Sequence, residues 1–356
     1  MIRVEAGRLR AGIAGLFAAA GMDADKAAIV AEMLVEADMI GHGTHGTGLV
    51  AGYLDALASG EMSGTGDVSV LSDRGACVTW RGNRLPGAWL VREALDLACE
   101  RAPHFGVVTV AIGGSHHTGA LAAYLRSVAE KGLIGEICCS TASAARMAPF
   151  GGTTPVLTPN PLAIGFPTEG DPILIDLSAS ITTTTMTRTL AARGERYPGA
   201  WALTAEGLPT DDPREVTERG GTLLPLGGVE KGHKGFGLAL LVDVLSQGLA
   251  DFGRADPPAP MSLAVFVQVI DPDAFGGRAA FARRAGFTAA ACRAAPPVPG
   301  VAAVRVPGDG AMRSRRRALA EGVPIDADVL AALAARADAL GADWPSGQPA
   351  APAAAR

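Results

Sequence analysis

The sequence predicts an α/β protein in which helices from both ends of the chain form one layer and the strands lie between them in sequence. Apolar residues recur at helical spacing over residues 4–20 and, near the other end, over 311–321 and 326–339. Between these segments, short apolar runs bounded by Gly, Pro and Asn indicate buried strands, most clearly at 107–112 and 134–139. No internal repeat is visible, so we expect one layered arrangement and not a repeat array.

Length and composition are consistent with two domains or with two intertwined layers. The chain has 356 residues, whereas a domain has roughly 100–200. Hydrophobic residues make up 48% and charged residues 19%, so there is enough apolar material for a large core. We expect 1–66 and 307–343 to form the helical layer, 67–306 to form the α/β core, and the low-complexity tail 344–356 to be disordered.

The individual elements follow from the same periodicities. In chain order we predict a helix at 4–20, a second helix that ends near 38, a third that begins after 48, and strands around 68–70 and 77–80. Next come a helix at 89–101, a strand at 107–112, a helix at 120–131, and strands at 134–139, 162–166 and 173–176. The last predicted elements are a helix after the glycine-rich loop 223–237, strands at 261–270 and 304–306, and helices at 311–321 and 326–339. The Thr-rich stretch 181–187 supports no assignment, and 194–219 is polar and turn-rich, which is typical of an exposed excursion.

Charge and cysteine content exclude several classes of protein. The net charge of −5 gives no electrostatic reason to expect nucleic acid or a membrane surface as a partner. The densest basic run, Arg313 with 315–317, fits a solvated helix face. The five cysteines form no CxxC motif, and Cys138 and Cys139 fit buried free thiols. No signal-peptide region and no apolar run of about 18 residues is present, so we expect a soluble cytoplasmic protein.

Polar residues cluster at the ends of apolar runs between positions 107 and 180. Such positions, on loops held by rigid strands, commonly display catalytic and binding side chains. The residues with this placement are Ser115, His116, His117, Ser140, Thr141, Asn160 and Asp176.

Four of the six histidines fall in two short loops, His42 with His45 and His116 with His117. Surface or capping histidines are one interpretation, and ligands to zinc or iron are another. However, the spacings match no standard ligand set and no carboxylate flanks them. Acid–base chemistry is the third interpretation, because an imidazole with a pKa of about 6.5 can give or take a hydroxyl proton.

Two glycine-rich segments are candidates for nucleotide-binding loops. Residues 46–51 match G-x-G-x-x-[GA], but a predicted helix precedes them where the Rossmann fingerprint requires a strand. We therefore expect no ordinary Rossmann domain. Residues 227–237 could cradle a phosphate through Lys234 and the following helix, or could be a plain glycine turn with solvated lysines.

Taken together, seven blocks in order resemble the malate/L-lactate dehydrogenase family of the non-Rossmann type, from about residue 10 to 340. The blocks are GHGTHG at 41–46 with Tyr53, SHHTG at 115–119, APFGG at 148–152, Asn160-Pro161, DLSAS at 176–180, KGFGL at 234–238 and Pro307-Gly308-Asp309. The resemblance implies a mixed-sheet α/β fold, a homodimer, NAD or NADP as cofactor, and hydride transfer on a small 2-hydroxy or 2-oxo acid or a cyclic imino acid.

The resemblance also implies the site residues. It makes His45 and His117 the acid–base candidates, with Asp176 beside them as a third catalytic residue. Predicted cofactor contacts are Ser140, Asp176, Leu177, Ser178, Ser180, His233, Lys234, Gly308 and Asp309. Predicted substrate contacts are Thr44, His116, Arg146 and Asn160, and no metal is expected.

The chain departs from the family pattern at two substrate-facing positions. Leu49 stands where the family has an Arg suited to clamp a carboxylate, and Met186 stands where a Lys is common. Arg146 or His116 are candidates to replace the clamp. Two alternative functions therefore stay open. Because of these losses the protein is also consistent with a relative that binds ligand without the usual turnover, and the loop histidines are also consistent with a metal hydrolase.

Overall fold

The computed structural model describes residues 1–256 and 262–344. Its strands and helices are β1 (Ile2–Val4), α1 (Ala6–Ala19), α2 (Ala24–Met39), α3 (Val50–Ala58), β2 (Ser69–Asp73), β3 (Cys77–Arg81), α4 (Gly87–Phe105), β4 (Val107–Ser115), α5 (Ala122–Glu130), β5 (Ile134–Thr141), β6 (Pro161–Phe166), β7 (Ile173–Ser178), α6 (Thr184–Arg193), β8 (Ala202–Leu203), β9 (Pro209–Thr210), α7 (Arg214–Glu218), β10 (Thr222–Leu223), α8 (Gly228–Lys231), α9 (His233–Asp243), β11 (Leu263–Ile270), α10 (Arg278–Ala294), α11 (Asp309–Glu321), β12 (Val323–Ile325) and α12 (Ala327–Leu340).

A seven-stranded mixed sheet forms the centre of the molecule, in the order β2-β3-β4-β11-β5-β6-β7. The β3–β4 pair is parallel and the other pairs in this sheet are antiparallel. Side chains alternate between its two faces, as strand geometry requires. Cys139 and Val265 join the main core, whereas Cys138 and Phe266 pack on the opposite face against Val242 of α9. Cys138 and Cys139 are thus buried free thiols, as predicted.

Helices cover the two faces of this sheet unequally. Helices α4 and α5 pack on one face, together with the helical layer. Helix α9 and the π-helical turn Val244–Gly248 that continues it cover the other face.

Helices from both ends of the chain pack together, which confirms the predicted terminal layer. Helix α1 contacts α2 and α12, and α2 also contacts α11. The two ends are joined by an antiparallel pairing of β1 with β12, in which Ile2 lies opposite Ile325. The inward side chains of α1, including Leu9, Ile13 and Phe17, are fully buried.

The segment 194–219 is not the exposed excursion that its polarity predicts. Its short strands β8 and β9 form a three-stranded sheet with β10, in which the central strand β8 pairs with both of the others. Tyr197 and Ala202 are buried against Met147 and Leu223, and these residues form a second, smaller core. Turn-forming residues dominate the composition of 194–219, but a few buried apolar side chains are enough to give this segment a small core of its own.

Several other expectations need correction. Residues 304–306 form no strand, whereas β12 was not predicted, and Val4 belongs to β1 instead of a helix. The Thr-rich stretch continues into α6. Arg315 is not on a solvated face, because its guanidinium pairs with the buried carboxylate of Glu36.

Met261 and the tail 345–356 lie outside the described residues. Within the described ranges, no helix is long and apolar enough to cross a membrane.

Candidate active site

The first histidine loop follows the end of α2 and is fixed by a buried carboxylate. Residues Gly43–His45 and Thr47–Leu49 form two 3-10 turns. Thr47 donates its backbone N–H to Asp38 Oδ2 at 2.8 Å. A Cβ on Gly46 would lie 2.1 Å from the Asp38 carboxylate, so glycine is required for this close approach. Burial raises the pKa of Asp38 to about 6.

The second histidine loop begins where β4 ends, at Ser115. The Ser115 hydroxyl donates to the His116 carbonyl at 2.7 Å, and the Tyr124 hydroxyl donates to the Thr118 carbonyl. These buried bonds fix the backbone on both sides of His117. A Cβ on Gly87 would lie 2.3 Å from the His116 carbonyl oxygen, so the start of α4 packs directly on this loop.

The two loops bring His45 and His117 into stacked contact, with ring centroids 5.8 Å apart and ring planes 19° apart. The Tyr53 hydroxyl lies 2.7 Å from His117 Nδ1, and Gly119 donates its N–H to the same nitrogen at 3.3 Å. Because an amide N–H can only donate, Nδ1 is an acceptor and the neutral ring carries its hydrogen on Nε2. Burial, with the nearby His45 and His116, lowers the pKa of His117 to about 3. His117 is therefore neutral near pH 7.

His45 has a more polar environment. It is half-buried, and its Nδ1 lies 2.9 Å from the Thr44 hydroxyl. Burial lowers the pKa of His45, while the charge of Asp176 acts in the opposite direction. Of the two stacked rings, His45 is thus the one for which a nearby carboxylate charge opposes the lowering of the pKa by burial.

Asp176 reaches the histidines from β7, on the far edge of the central sheet. Its Oδ2 accepts the Ala122 N–H of α5 at 2.9 Å and lies 4.0 Å from His42 Nδ1. Burial raises the pKa of Asp176, although the Ala122 amide and the charges of His42 and His45 oppose the rise. Asp176 thus lies next to His42 and close enough for its charge to act on the ring of His45, which stacks on His117.

A groove of about 1010 Å³ opens beside this cluster. Asp176, His42, Leu177 and the 296–308 loop line it. Ligand sites commonly have volumes of about 300–1,000 Å³, so the groove can accept a dinucleotide. Gly308, which also lines the groove, has a φ of +99°, and a Cβ there would meet the backbone of β7 at 2.9 Å.

None of the four predicted substrate residues is among those that line the groove. The ring of His116 is buried edge-on against Tyr53, with centroids 5.5 Å apart. Its Nδ1 is buried, without a hydrogen-bond partner among the described residues. Arg146 is exposed, and its backbone pairs with Leu157 and Leu223 of the smaller core.

Ser140 and Asn160 belong to a buried polar network. The Ser140 hydroxyl donates to Asn160 Oδ1 or to Asp243 Oδ1, both at 2.8 Å, and accepts from Gln247 and Arg254. Asn160 also donates to the Ala239 carbonyl. Their polar atoms thus already have protein partners, which fix β5 and β6 to α9.

The remaining predicted cofactor residues divide between two places. Ser178 and Ser180 bond to each other and to neighbouring carbonyls at the end of β7, and Asp309 pairs with Arg293. His233 and Lys234 are exposed at the start of α9, where the His233 ring lies 5.7 Å from that of Phe150.

Two residues that the structure places at the site have no individual role in the sequence prediction. His42 is grouped with the other loop histidines as a possible cap, metal ligand or acid–base group, and the structure places it in the groove lining next to Asp176. Asp38 marks the predicted end of a helix, and its position eight residues before a glycine in a histidine loop carries no general signal. Among residues 1–256 and 262–344, no three His, Cys, Asp or Glu side chains are grouped to hold a metal ion.

A mixed-sheet α/β fold with paired histidines and a half-buried carboxylate beside a groove is typical of an enzyme that acts on a small molecule. Over residues 4–334 the sequence matches the family model described as malate/L-lactate dehydrogenase, and the chain belongs to this family. It is an oxidoreductase of the dehydrogenase or reductase kind, and the family implies a nicotinamide cofactor.

Individual relatives differ in the activity they are named for. The chain is 32% identical to the L-sulfolactate dehydrogenase of Methanothermobacter thermautotrophicus over 68% of this chain and 71% of the relative. It is 31% identical to the ureidoglycolate dehydrogenase (NAD(+)) of Escherichia coli O157:H7 over 87% and 88% of the two chains. The solved malate dehydrogenase of Pyrococcus horikoshii superposes with a TM-score of 0.87 at 27% identity, covering 97% of each chain.

Proposed function

We propose that the protein is an NAD- or NADP-dependent oxidoreductase that acts on a small 2-hydroxy or 2-oxo acid or on a cyclic imino acid. The observation that carries the proposal is the stacked pair of His45 and His117 next to Asp176, at the end of a groove of dinucleotide size. The names of the relatives, which include hydroxy-acid dehydrogenases and a cyclic imino acid reductase, support this substrate range.

His45 is the residue we assign to proton transfer. A group that alternates between protonated and neutral forms needs a pKa near the working pH. The pKa of His117 is about 3, which fails this requirement. Burial also lowers the pKa of His45, but the charge of Asp176 opposes that shift. In the oxidation direction neutral His45 takes the hydroxyl proton, and in the reduction direction the imidazolium returns it.

His117 acts as a neutral hydrogen-bond donor. Tyr53 and Gly119 occupy its Nδ1, which leaves the Nε2–H to bind the oxygen or nitrogen of the substrate. A neutral imidazole can polarise a carbonyl without giving up a proton. Tyr53 is a positioning residue in this scheme, because it touches His117 and not the substrate.

The groove beside Asp176 is the site we assign to the cofactor. When bound, the nicotinamide ring supplies or accepts the hydride. Asp176 offers an acceptor for hydroxyl groups, and Leu177, Gly308 and the start of α11 form the wall. Ser140, Ser178, Ser180, His233, Lys234 and Asp309 stay predicted cofactor contacts.

Substrate anchoring differs from the family pattern. Leu49 is half-buried and packs against the main core, and Met186 is exposed, so neither supplies a cation. Thr44, His116, Arg146 and Asn160 stay predicted substrate contacts. We expect the substrate to be held by hydrogen bonds more than by a bidentate ion pair. The protein is further proposed to be a cytoplasmic homodimer.

The test combines cofactor binding with turnover. Fluorescence titration with NADH and NADPH should show binding of at least one, and a panel of 2-oxo acids and cyclic imines should show turnover. His45→Ala should lower kcat by about 10²–10⁴-fold, as expected for loss of a general acid–base group. His104→Ala changes an exposed histidine at the end of α4 and should have no effect. Binding of neither nucleotide would refute the proposal.

A ligand-binding protein without turnover is the second candidate, because Leu49 and Met186 replace the expected cations. It predicts cofactor binding with no substrate of the panel converted. Any turnover that is abolished by His45→Ala excludes this candidate.

A further inference from the structure

The histidine cluster contains no permanent positive charge. The charges that act on the pKa values of His45, His117 and Asp176 come from one another and from His42 and His116. No Lys or Arg side chain of residues 1–256 and 262–344 is among them. When His45 is protonated, the carboxylate of Asp176 balances its charge, so the cluster offers no net positive charge to a bound molecule.

The arginines on the elements around the cluster have other partners. Helix α5 donates a backbone N–H to Asp176, but its Arg126 pairs with Glu36 and Glu130. Arg305 lines the groove that we assign to the cofactor, yet its charge is not among those that act on Asp176. A carboxylate placed beside the histidines would therefore meet no arginine from these elements.

Arg146 and His116, the candidate replacements for a carboxylate clamp, are engaged elsewhere. The exposed Arg146 guanidinium donates to the Ala145 carbonyl at 3.0 Å. His116 is only 5% exposed, and its ring packs edge-on against Tyr53. Burial lowers the pKa of His116, which favours the neutral ring. Neither residue supplies a cation to the stacked histidines.

Leu49 connects the two histidine loops at the start of α3. Its backbone N–H donates at 3.0 Å to the carbonyl of Gly46, which directly follows His45. Tyr53 comes one helical turn later and lies 2.7 Å from His117 Nδ1 through its hydroxyl. Because residues four positions apart share one side of a helix, Leu49 lies on the side of α3 that meets the second histidine loop. The half-buried Leu49 thus gives this part of the site an aliphatic surface.

We propose that the preferred substrate is an uncharged 2-oxo amide or ester, with its C1 group against Leu49, and not the free 2-oxo acid. This inference narrows the proposed function and rests on it. A carboxylate in this place would lose its hydration without gaining a counter-ion, and ionised Asp176 would repel it. An amide or ester group carries no such charge, and the alkyl part of an ester can pack on the leucine.

The chemical step is the same for a neutral substrate as for an acid. The carbonyl π bond breaks, a C–H bond forms with a hydride from the reduced nicotinamide cofactor, and an O–H bond forms with the proton of His45. The carbonyl is thereby reduced to a secondary alcohol, the cofactor is oxidised, and the amide or ester bond stays intact. The Nε2–H of His117 binds the carbonyl oxygen, which requires no charge on the C1 group.

The first test compares three substrates that differ only at C1. Turnover of pyruvate, pyruvamide and methyl pyruvate is followed with NADH or NADPH, whichever binds. The wild type should have a kcat/KM at least about 10-fold higher for pyruvamide and for methyl pyruvate than for pyruvate, because only pyruvate carries an unpaired charge into the site. A higher kcat/KM for pyruvate would overturn the proposal.

The second test places a cation at position 49. Leu49→Arg should shift the ratio of kcat/KM values toward pyruvate by about 100-fold, because a guanidinium can bind the carboxylate bidentately. Leu49→Gln adds a polar group without charge and should not favour the acid. Leu57→Arg makes the same change at another half-buried leucine, eight residues further along α3, and should leave the ratio unchanged.

The shift in this ratio does not depend on the intrinsic difference in reactivity between esters, amides and acids, because the same three substrates are compared in every variant. Melting temperatures identify any variant that has lost its fold. An unshifted ratio in folded Leu49→Arg would overturn the proposal.

A binding measurement on the wild type reports the same preference without turnover. Ligand-observed NMR titration with lactamide and with lactate, each with and without NADH, should give a Kd at least about 10-fold lower for lactamide. Tighter binding of lactate would overturn the proposal. NADH binding with a preference for lactate rejects the neutral substrate alone. A preference for lactamide without binding of NADH or NADPH rejects the proposed function alone.

Discussion

His45 and His117 are the same residue type in stacked contact, yet their surroundings differ in burial and in nearby charge. Tyr53 and Gly119 hold His117 from one side, and burial keeps it neutral. His45 lies closer to solvent and to the carboxylate of Asp176. We expect a division of labour between these two identical side chains, set by burial and one neighbouring charge.

Removal of the Tyr53 hydroxyl tests the orientation of His117. Tyr53→Phe leaves Nδ1 without its 2.7 Å partner, so we expect kcat to fall by about 10-fold, which is the cost of about one hydrogen bond, with little change in KM. Tyr197→Phe removes a comparable 3.0 Å bond to Thr187 in the smaller core. Tyr197→Phe should lower the free energy of unfolding by about as much as Tyr53→Phe does, and it should leave kcat unchanged. Equal kinetic loss in both variants would contradict a positioning role.

Asp38 gives the fold a pH dependence of known sign. Its pKa is about 6 in the folded protein against an ordinary value of 3.8, so the unfolded chain loses the proton first. Stability from this group is therefore greatest at low pH and falls as the pH rises from about 4 to about 6, by about 3 kcal/mol. Asp38→Asn should abolish this component. Urea unfolding of the wild type and of Asp38→Asn at pH 4 and pH 7 would measure this difference. An equal change in unfolding free energy with pH in the two proteins would refute the role of Asp38.

At the scale of elements, the loop that carries His42 and His45 owes its shape to one glycine. Gly46 has an ordinary negative φ, so its requirement is steric and not conformational. The Asp38 carboxylate occupies the space that any Cβ would need. The carboxylate and the glycine therefore form one unit, and neither can change without displacing the histidines.

Gly46→Ala should displace this loop and lower both activity and stability. We expect a loss of about 1–3 kcal/mol in unfolding free energy, typical of overpacking, with a fall in kcat of at least 10-fold. Gly52→Ala in α3 has no atom within 4 Å of the new Cβ. Because it replaces a glycine inside a helix, it should stabilise by about 0.5–1 kcal/mol. If both variants behaved alike, the steric explanation would be wrong.

Long periodic elements were predictable and short ones were not. Helices α11 and α12 and strands β4 and β5 have enough residues to show a period, so the sequence predicts them within a few positions. Strand β12 has three residues, one of them Pro324, and owes its existence to pairing with β1. Residues 304–306 have strand composition but lack a pairing partner among the described residues.

The same limit applies to the site. Motifs identified His45, His117 and Asp176 because each has a chemical type and a recurring local context. Their meeting depends on three segments that only the tertiary fold brings together. The partners of Ser140 come from 20 to 114 residues away, so its place in a closed network could not be read from its own surroundings.

At the scale of the whole molecule, one buried carboxylate links four helices. Glu36 of α2 lies within 4 Å of Arg10 in α1, Arg126 in α5 and Arg315 in α11. Two ends of the chain and the α/β core therefore meet at a single negative charge. The arginines depend on it, because a buried guanidinium without a counter-charge is costly.

Glu36→Gln should destabilise the protein by about 3–5 kcal/mol, since it removes the shared counter-charge of three half-buried arginines, of which Arg126 keeps Glu130. Glu130→Gln removes an exposed partner of Arg126 and should cost less than about 1 kcal/mol. Thermal and urea unfolding of the two variants would measure the difference. A small effect at Glu36 would mean that the helical layer is held by apolar packing alone.

The pairing of β1 with β12 also sets an order of events during synthesis. During synthesis residues 2–4 leave the ribosome well before their partners at 323–325, which come more than 300 residues later. At ~5–20 residues per second, helix α1 must wait for at least about 15 seconds before its final neighbours exist. Until then α1 lacks its contacts with α12, whereas its other neighbour α2 follows it directly in the chain. We therefore expect the burial of α1 to be completed late, once α12 has been made.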